Sequence, residues 1–454
     1  MLIDKDISFI LHCFNSWNKE KIKVAFGVFL ERVDTDKLNE ILEALESKKN
    51  IKSVKLLAQK LPCHILINIF YKCDVFTLLS LSCVNKKWRK LLEDPLLWRF
   101  IWLRDVNKPF FLKKSYFEEK WKSLCLQHLK IEKNWIRGEY GIKTLFGHTN
   151  CVTCIQFDDE LIVAGGEDSG INIWDFETYE KISNLSEQER MITCLKLTKN
   201  KLFSGTWDGA LTVWKRFIRG RFQRLFSVTD PYSLTSVLCL AYNNGKYCLT
   251  GSLDNVIRIY DITSGQERYK LRGHENSVLS LQFDKEKIVS ASEDRTLKVW
   301  DARSLRCIYT LVGHKSAVTC LQFKDNILVS GSCDSTAIIW DMRSGKVLKL
   351  LKGGEGAIHC LQFEKSKLIT GAGNDTLKLW DLYSGKCLHT FIEHKSSVNC
   401  LQFNERFIVS GSGDGTISVM DFGEYSSGVI RKRAKTLQGA FSLAVIPNPD
   451  NKIP

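Results

Sequence analysis

The residues best equipped for chemistry in this chain are its cysteines, histidines and aspartates. Sixteen cysteines could hold a metal, cycle between thiol and disulfide, or staple loops. Their spacing argues for none of these. Cys154, Cys194, Cys239, Cys320, Cys360 and Cys400 share one register, with Ser280 in the seventh slot. Each follows a β-branched residue by two positions, as in "VTC", "ITC" and "VNC". No CxxC is matched by a second pair, so these thiols read as small buried strand residues, and no metal or cofactor is expected. GxSxG, P-loop and HExxH motifs do not occur, so no catalytic site is expected in the chain itself.

The register belongs to a larger repeat, the feature to seek before any other. "GHENSVLSLQFDKEKIVSASEDRTLKVWD" (273–301) is followed by "GHKSAVTCLQFKDNILVSGSCDSTAIIWD" (313–341), and five related copies flank them. Their terminal aromatic falls at Trp174, Trp214, Tyr260, Trp300, Trp340 and Trp380, and degrades to Met420. Steps are forty residues, except one of forty-six that holds the insertion "RFIRGRFQRLFSVTDPYSL". Each copy contains short β-rich runs such as "VTCLQF", "ILVSGS" and "TAIIWD", separated by polar turns. A fourth run bridges to the next copy. One four-stranded sheet cannot bury both faces, whereas seven stacked radially can. The expected fold is therefore mainly β, a seven-bladed propeller over 141–425.

The "GH…D…WD" combination at fixed spacing resembles the WD-repeat family. That resemblance implies a buried His–Ser/Thr–Asp–Trp set in each blade, with a structural role. His274, Ser290, Asp294, Trp300 and His314, Ser330, Asp334, Trp340 are complete. In the sixth copy Gly354 and Asn374 replace His and Asp together, which avoids stranding one buried charge. Closure of the ring has two candidates, "KTLFGH" (143–148) and "KTLQGA" (435–440), and the N-terminal one is favoured because family members close by mixing their ends.

Ahead of the repeats, apolar residues recur at helical spacing, in an all-α N-terminal region. Pro62 suits a first helical turn. The block "LPCHILINIFYKCDVFTLLSLSCVNKKWRKLLEDPLLW" (61–98) resembles the F-box. That resemblance implies docking on the Skp adaptor of a cullin–RING ubiquitin ligase. The expected docking residues are Leu61, Pro62, Ile65, Leu66, Ile69, Phe70, Leu78, Leu79, Val84, Trp88, Leu92 and Trp98, on the argument that so small a unit must leave apolar groups facing solvent. An F-box (58–100) before WD repeats places the chain with F-box/WD-repeat substrate receptors. Residues 101–140 resemble their helical linker. Residues 8–50, with Phe14, Trp17 and Phe29, resemble a dimerisation segment, which implies a homodimer; folding of these apolar residues back on the F-box is the alternative. A WD-repeat scaffold with no role in ubiquitin transfer is the alternative.

Relatives that read phosphorylated degrons place arginines before the strand cysteine or inside the "GSxD" turn, where guanidinium binds phosphate in bidentate fashion. None of those slots holds arginine here. The expected substrate face is instead mixed, with Trp207, Glu167, Glu293 and His359 in the slots and Arg190 and Arg295 beside them. It predicts a protein substrate with an apolar anchor rather than a doubly phosphorylated peptide.

The net charge of +14 over 454 residues is a weak pointer to nucleic acid, and only "RKRAK" (431–435) in the tail (426–454) is densely basic; a solvated tail is expected there, with an extra strand in "FSLAVIP" an open possibility. The acidic start lacks a signal-peptide pattern and no apolar run reaches 18 residues, so cytoplasm or nucleus is expected.

Overall fold

The chain was analysed as a computed structural model. It describes residues 63, 67, 70–71, 73, 75–82, 86–105 and 121–436, the last range without 186–189, 218–219, 230–234, 244, 355 and 424–429. The expected dimerisation segment and "FSLAVIP" lie outside the described residues. Two compact units divide the chain, Met1–Glu132 and Lys133–Pro454.

The first unit is helical, with α1 (Val75–Leu81), α2 (Lys86–Leu91), α3 (Pro95–Asp105) and the beginning of α4 (Trp121–Arg137). Asp94 starts α3 by accepting the Leu96 N–H at 2.9 Å, and Pro95 fills the first turn, where its missing donor costs nothing. One side of α3 packs Leu97, Trp98, Ile101 and Trp102 against Phe70, Leu78, Leu92 and Cys125. The Trp98 indole N–H donates to the Leu92 carbonyl at 2.6 Å, so burial leaves no orphaned donor.

The second unit is a seven-bladed propeller of antiparallel sheets. Blade I runs over 152–185, blade II over 192–228, blade III over 237–271, blade IV over 278–312, blade V over 318–352 and blade VI over 358–392. Blade VII combines 398–421 with the N-terminal strand Glu139–Leu145, paired antiparallel to Ile417–Asp421 with Ile142 opposite Met420. The ring is thus closed by the N-terminal segment. The C-terminal candidate goes elsewhere: Lys435–Thr436 pairs with the outer strand of blade VI, Thr436 opposite His389. The basic run is correspondingly no free tail, because Ile430–Arg433 adds a fifth strand outside Glu139–Leu145. Lys432 is anchored there at 2.6 Å from Glu393.

Packing between blades explains the cysteine register. A Cβ built on Gly205 would lie 2.5 Å from Cys194 Sγ and 2.7 Å from Val237 of the next blade. The inner strands approach so closely that one position must be glycine and its neighbour small and apolar. A second device ties consecutive blades. The Gln282 side chain donates to the Phe323 carbonyl at 2.9 Å and accepts the Phe323 N–H at 2.6 Å. Gln362 holds Phe403 and Gln402 holds Phe157 in the same two-bond clamp. Gln322 accepts the Phe363 N–H at 2.5 Å. No helix among the described residues is long and apolar enough to cross a membrane.

Candidate interaction faces

The buried polar sets come first, because they carry the residue types of catalysis. His274 Nδ1 lies 2.7 Å from Asp294, its Nε2 lies 2.7 Å from Ser290, and the Trp300 indole donates to Ser290 at 2.9 Å. Blade V repeats this with His314, Asp334, Ser330 and Trp340. Ser290 and Ser330 are fully buried, so no substrate reaches either hydroxyl. These sets fasten turns to sheets. In blade VI Asn374 bonds Thr376 at 2.7 Å instead, while Thr370 still accepts from Trp380 at 3.0 Å. In blade III buried Arg258 takes over Asp254 at 3.0 Å.

Blade I is incomplete in a way the sequence reading missed. Ala164 stands where other blades carry a hydroxyl, and His148 Nε2 is buried without a partner. Ala164→Ser should supply that partner and stabilise the chain by about 1 kcal/mol, raising the melting temperature by about 2 °C. A lower melting temperature would show that the pocket has no room for the hydroxyl.

The same sets fix the response to pH. Burial holds His274, His314 and His394 below their ordinary 6.5. Burial raises the carboxyls of Asp294, Asp334 and Asp414, but their hydrogen bonds outweigh it and leave them below 3.8. Both groups therefore bind fewer protons folded than unfolded. The histidine contribution is complete above 6.5 and is lost as pH falls through the lower folded values; the aspartate contribution is lost below 3.8. Asp159, raised by burial, opposes this weakly. Burial pushes Cys154, Cys194 and Cys320 up from 9.0 to about 12, so their contribution is lost as pH rises beyond 9.0. Lys196, lowered by burial from 10.5, opposes that alkaline loss, so the expectation rests on the acid side: melting temperature should fall as pH drops below 6.5. A rise on acidification from 6.5 would contradict the assignment.

The first exposed face is on α3. Leu96, Phe100 and Leu103 are 65%, 47% and 56% exposed, and their spacing aligns them on one stripe. Only part of the expected docking set can be placed. Phe70, Leu78, Leu92 and Trp98 are sealed inside the helical core. Leu79 and Trp88 pack against that core while half-buried. Leu61, Pro62, Ile65, Leu66, Ile69 and Val84 lie outside the described residues. The helix α3 is apolar on two sides, and the run "PLLWRFIWL" is the signal that could have shown it.

The second face is a propeller rim. Equivalent turn residues donate their N–H groups to carbonyls just ahead of each first strand: Glu167 to Cys151, Trp207 to Met191, Leu253 to Ser236, Glu293 to Ser277 and Cys333 to Ala317. These positions therefore share one end of the ring. Trp207 and Leu253 are 50% and 45% exposed on neighbouring blades. Ser236 joins them, its hydroxyl donating to the Trp207 carbonyl at 2.6 Å while its own carbonyl accepts from Leu253 at 3.1 Å. Arg190 is exposed beside Met191. Arg295 is exposed at φ 69°, a left-handed turn position that costs a residue with Cβ about 1 kcal/mol. Glu293 accepts from the Ser277 hydroxyl at 3.0 Å. Blades I to IV thus carry Glu167, Arg190, Trp207, Glu293 and Arg295 along one arc. His359 stands apart in blade VI, and burial lowers its pKa, which keeps the ring neutral near pH 7. Leu253 was missed as a member of this face, although its turn slot beside that of Trp207 could have given it.

Among the described residues, no group of three or more His, Cys, Asp or Glu side chains is placed to hold a metal ion. Residues 58–104 match the F-box-like family. Residues 140–175, 228–261, 265–301, 305–341 and 385–421 match the WD domain, G-beta repeat. A probable E3 ubiquitin ligase complex SCF subunit sconB of Arthroderma otae is 27% identical over 28% of this chain and 23% of its own length. Human F-box/WD repeat-containing protein 9 is 27% identical over 51% and 53%. Mitogen-activated protein kinase kinase kinase A of Dictyostelium discoideum is 26% identical over 50% of this chain but 28% of the kinase. The crystal structure of the computationally designed Ika8 protein aligns with a TM-score of 0.52 and 30% identity, over 61% of this chain and 98% of that one. The chain spans about half or less of the length of these curated relatives. With an F-box-like segment followed by WD repeats that build seven blades, the chain belongs to the F-box/WD-repeat family.

Proposed function

We propose that this chain is the substrate-recognition subunit of an SCF-type ubiquitin ligase. Its F-box-like segment docks on the Skp adaptor, and its propeller rim holds a degron of the protein to be ubiquitinated. The chain supplies no catalytic group; the transfer chemistry belongs to the assembled partners. One observation carries the reading: the F-box-like segment and the rim each present an apolar anchor to solvent, Leu96–Phe100–Leu103 on one and Trp207–Leu253 on the other. The match of the F-box-like segment and the likeness to SCF subunits support it.

The rim chemistry favours a degron with a large apolar side chain between charges of both signs. Trp207 is the anchor, Leu253 extends the apolar patch, and Arg190 and Glu167 select flanking charges. A doubly phosphorylated peptide would meet Glu167 and Glu293, which repel it.

A version lacking residues 58–104 should retain client proteins that the full chain delivers for degradation, and affinity purification reads this directly. Trp207→Ala with Leu253→Ala should weaken binding of those clients at least tenfold, because an aromatic anchor carries about 2 kcal/mol or more. Clients that stay bound to the double variant would place recognition on another surface. Peptide arrays with and without phosphate test the degron chemistry, and uniformly stronger binding of phosphopeptides would overturn the apolar-anchor reading.

A further inference from the structure

The clamps between blades are interrupted on one side of the ring, and a charged cavity opens at the interruption. Position +2 after the strand cysteine is Gln in blades IV to VII (Gln282, with Ser280 in the cysteine slot, then Gln322, Gln362 and Gln402). Each of these bonds the backbone of the next blade. Blade I also has Gln156, but its amide donates to the Ile155 carbonyl at 3.1 Å within its own strand. Blade II carries Lys196 and blade III Ala241. No hydrogen bond or ion pair engages the Lys196 ammonium among the described residues.

Lys196 lines a cavity of about 360 Å³ that runs across the inner strands of blades II to V. Leu240, Leu281 and Phe323 give it apolar walls. Asp284 and Asp325 stand in the hairpin turns at its mouth, with Lys324 at the end of the strand beside them. The Asp284 carboxylate is already committed to its own turn, accepting the Glu286 and Lys287 N–H groups at 2.7 Å each. The nearest lining residues, Leu240 and Leu281, pair with Thr250 and Ser290, about 10 Å along the strand from Leu253 and Glu293 at about 3.3 Å per residue, and the cavity extends from there toward the opposite end of the strands. It is therefore separate from the rim that takes the degron.

We propose that this cavity is a second binding site, for a carboxylate carried on an apolar stem, with Lys196 as its counter-ion. Lys196 is half-buried and burial lowers its pKa from 10.5; an incoming anion would offset the desolvation of the ammonium. Lys196 and Lys324 stand against Asp284 and Asp325 in the lining, so the cavity carries no net charge and suits one negative charge better than a phosphate dianion. The volume is within the range of small-ligand pockets. The carboxylate has two possible sources, a free small molecule or an acidic side chain of a bound protein.

The test uses the full chain and isothermal titration with two probes. One is 4-phenylbutyrate; the other is a capped peptide with a single Glu between Leu and Phe. The neutral 4-phenylbutyramide is the control. Lys196→Gln is the principal variant, because Gln occupies this position in five other blades; Lys196→Met is the second. The expected result is saturable binding of at least one carboxylate, weakened at least tenfold in both variants, and no binding of the amide. The probe that binds identifies the source. The proposal is overturned if neither carboxylate binds at millimolar concentration, or if binding survives unchanged in Lys196→Gln and Lys196→Met.

Discussion

Replacing Leu96, Phe100 and Leu103 together by Glu should abolish capture of the Skp adaptor and leave the melting temperature within about 2 °C of the parent. The three side chains are about half exposed or more, so the unmodified fold gives up little when they become polar. An interface pays far more. Each apolar anchor at the centre of a protein interface carries about 2 kcal/mol, and three of them lower affinity by a factor of about 10⁴. Charge placed opposite apolar partner surface adds a desolvation penalty. Pull-down with purified adaptor measures the loss, and circular dichroism melting separates it from unfolding. The choice of residues matters here. Phe70 and Trp98 are equally apolar but sit in the helical core, so charging them would remove binding by destroying the unit. Full adaptor binding by the triple variant would move the docking surface off α3.

Trp340→Ala should destabilise the propeller by about 3–5 kcal/mol, the range for deleting a large buried aromatic. Trp340 is 1% exposed, its indole donates to Ser330 at 2.8 Å, and its ring crowds Gly313, where a Cβ would stand 2.8 Å away. The loss combines a cavity with a broken bond. Trp340→Phe keeps most of the ring volume and loses the N–H, so it should cost about 1–2 kcal/mol. Urea midpoints report both values. Blade VII supplies an internal comparison: Met420 fills the equivalent position, and Ser410 is there engaged by His394 alone at 2.8 Å. Met420→Ala should accordingly cost less than Trp340→Ala. Equal losses would mean that the indole N–H contributes nothing.

The propeller was legible because its constraints repeat. Seven copies of one strand pattern leave one radial solution, and the cysteine register is read correctly once close packing on glycine is recognised. The joint replacement of His and Asp by Gly354 and Asn374 also reads correctly, since both members of a buried bond change in one chain. The features missed depend on a neighbouring blade or the far side of a helix. Ala164 looks ordinary within its strand and matters only because His148 comes from the loop before it. The glutamine clamps reach a residue of the next blade, beyond any local pattern. The exposed stripe on α3 was not read, because apolar residues on two sides of a short helix do not say which side is buried. Leu253 gains meaning only beside Trp207.

The central claim is that one chain joins an adaptor and a client at separate faces. Light scattering on the purified chain, the Skp adaptor and an apolar-anchored client peptide fused to a carrier protein tests this most directly. The account predicts a complex containing one of each per chain, formed in either order of addition. Failure of the chain to hold the adaptor, or displacement of one partner by the other, would contradict it.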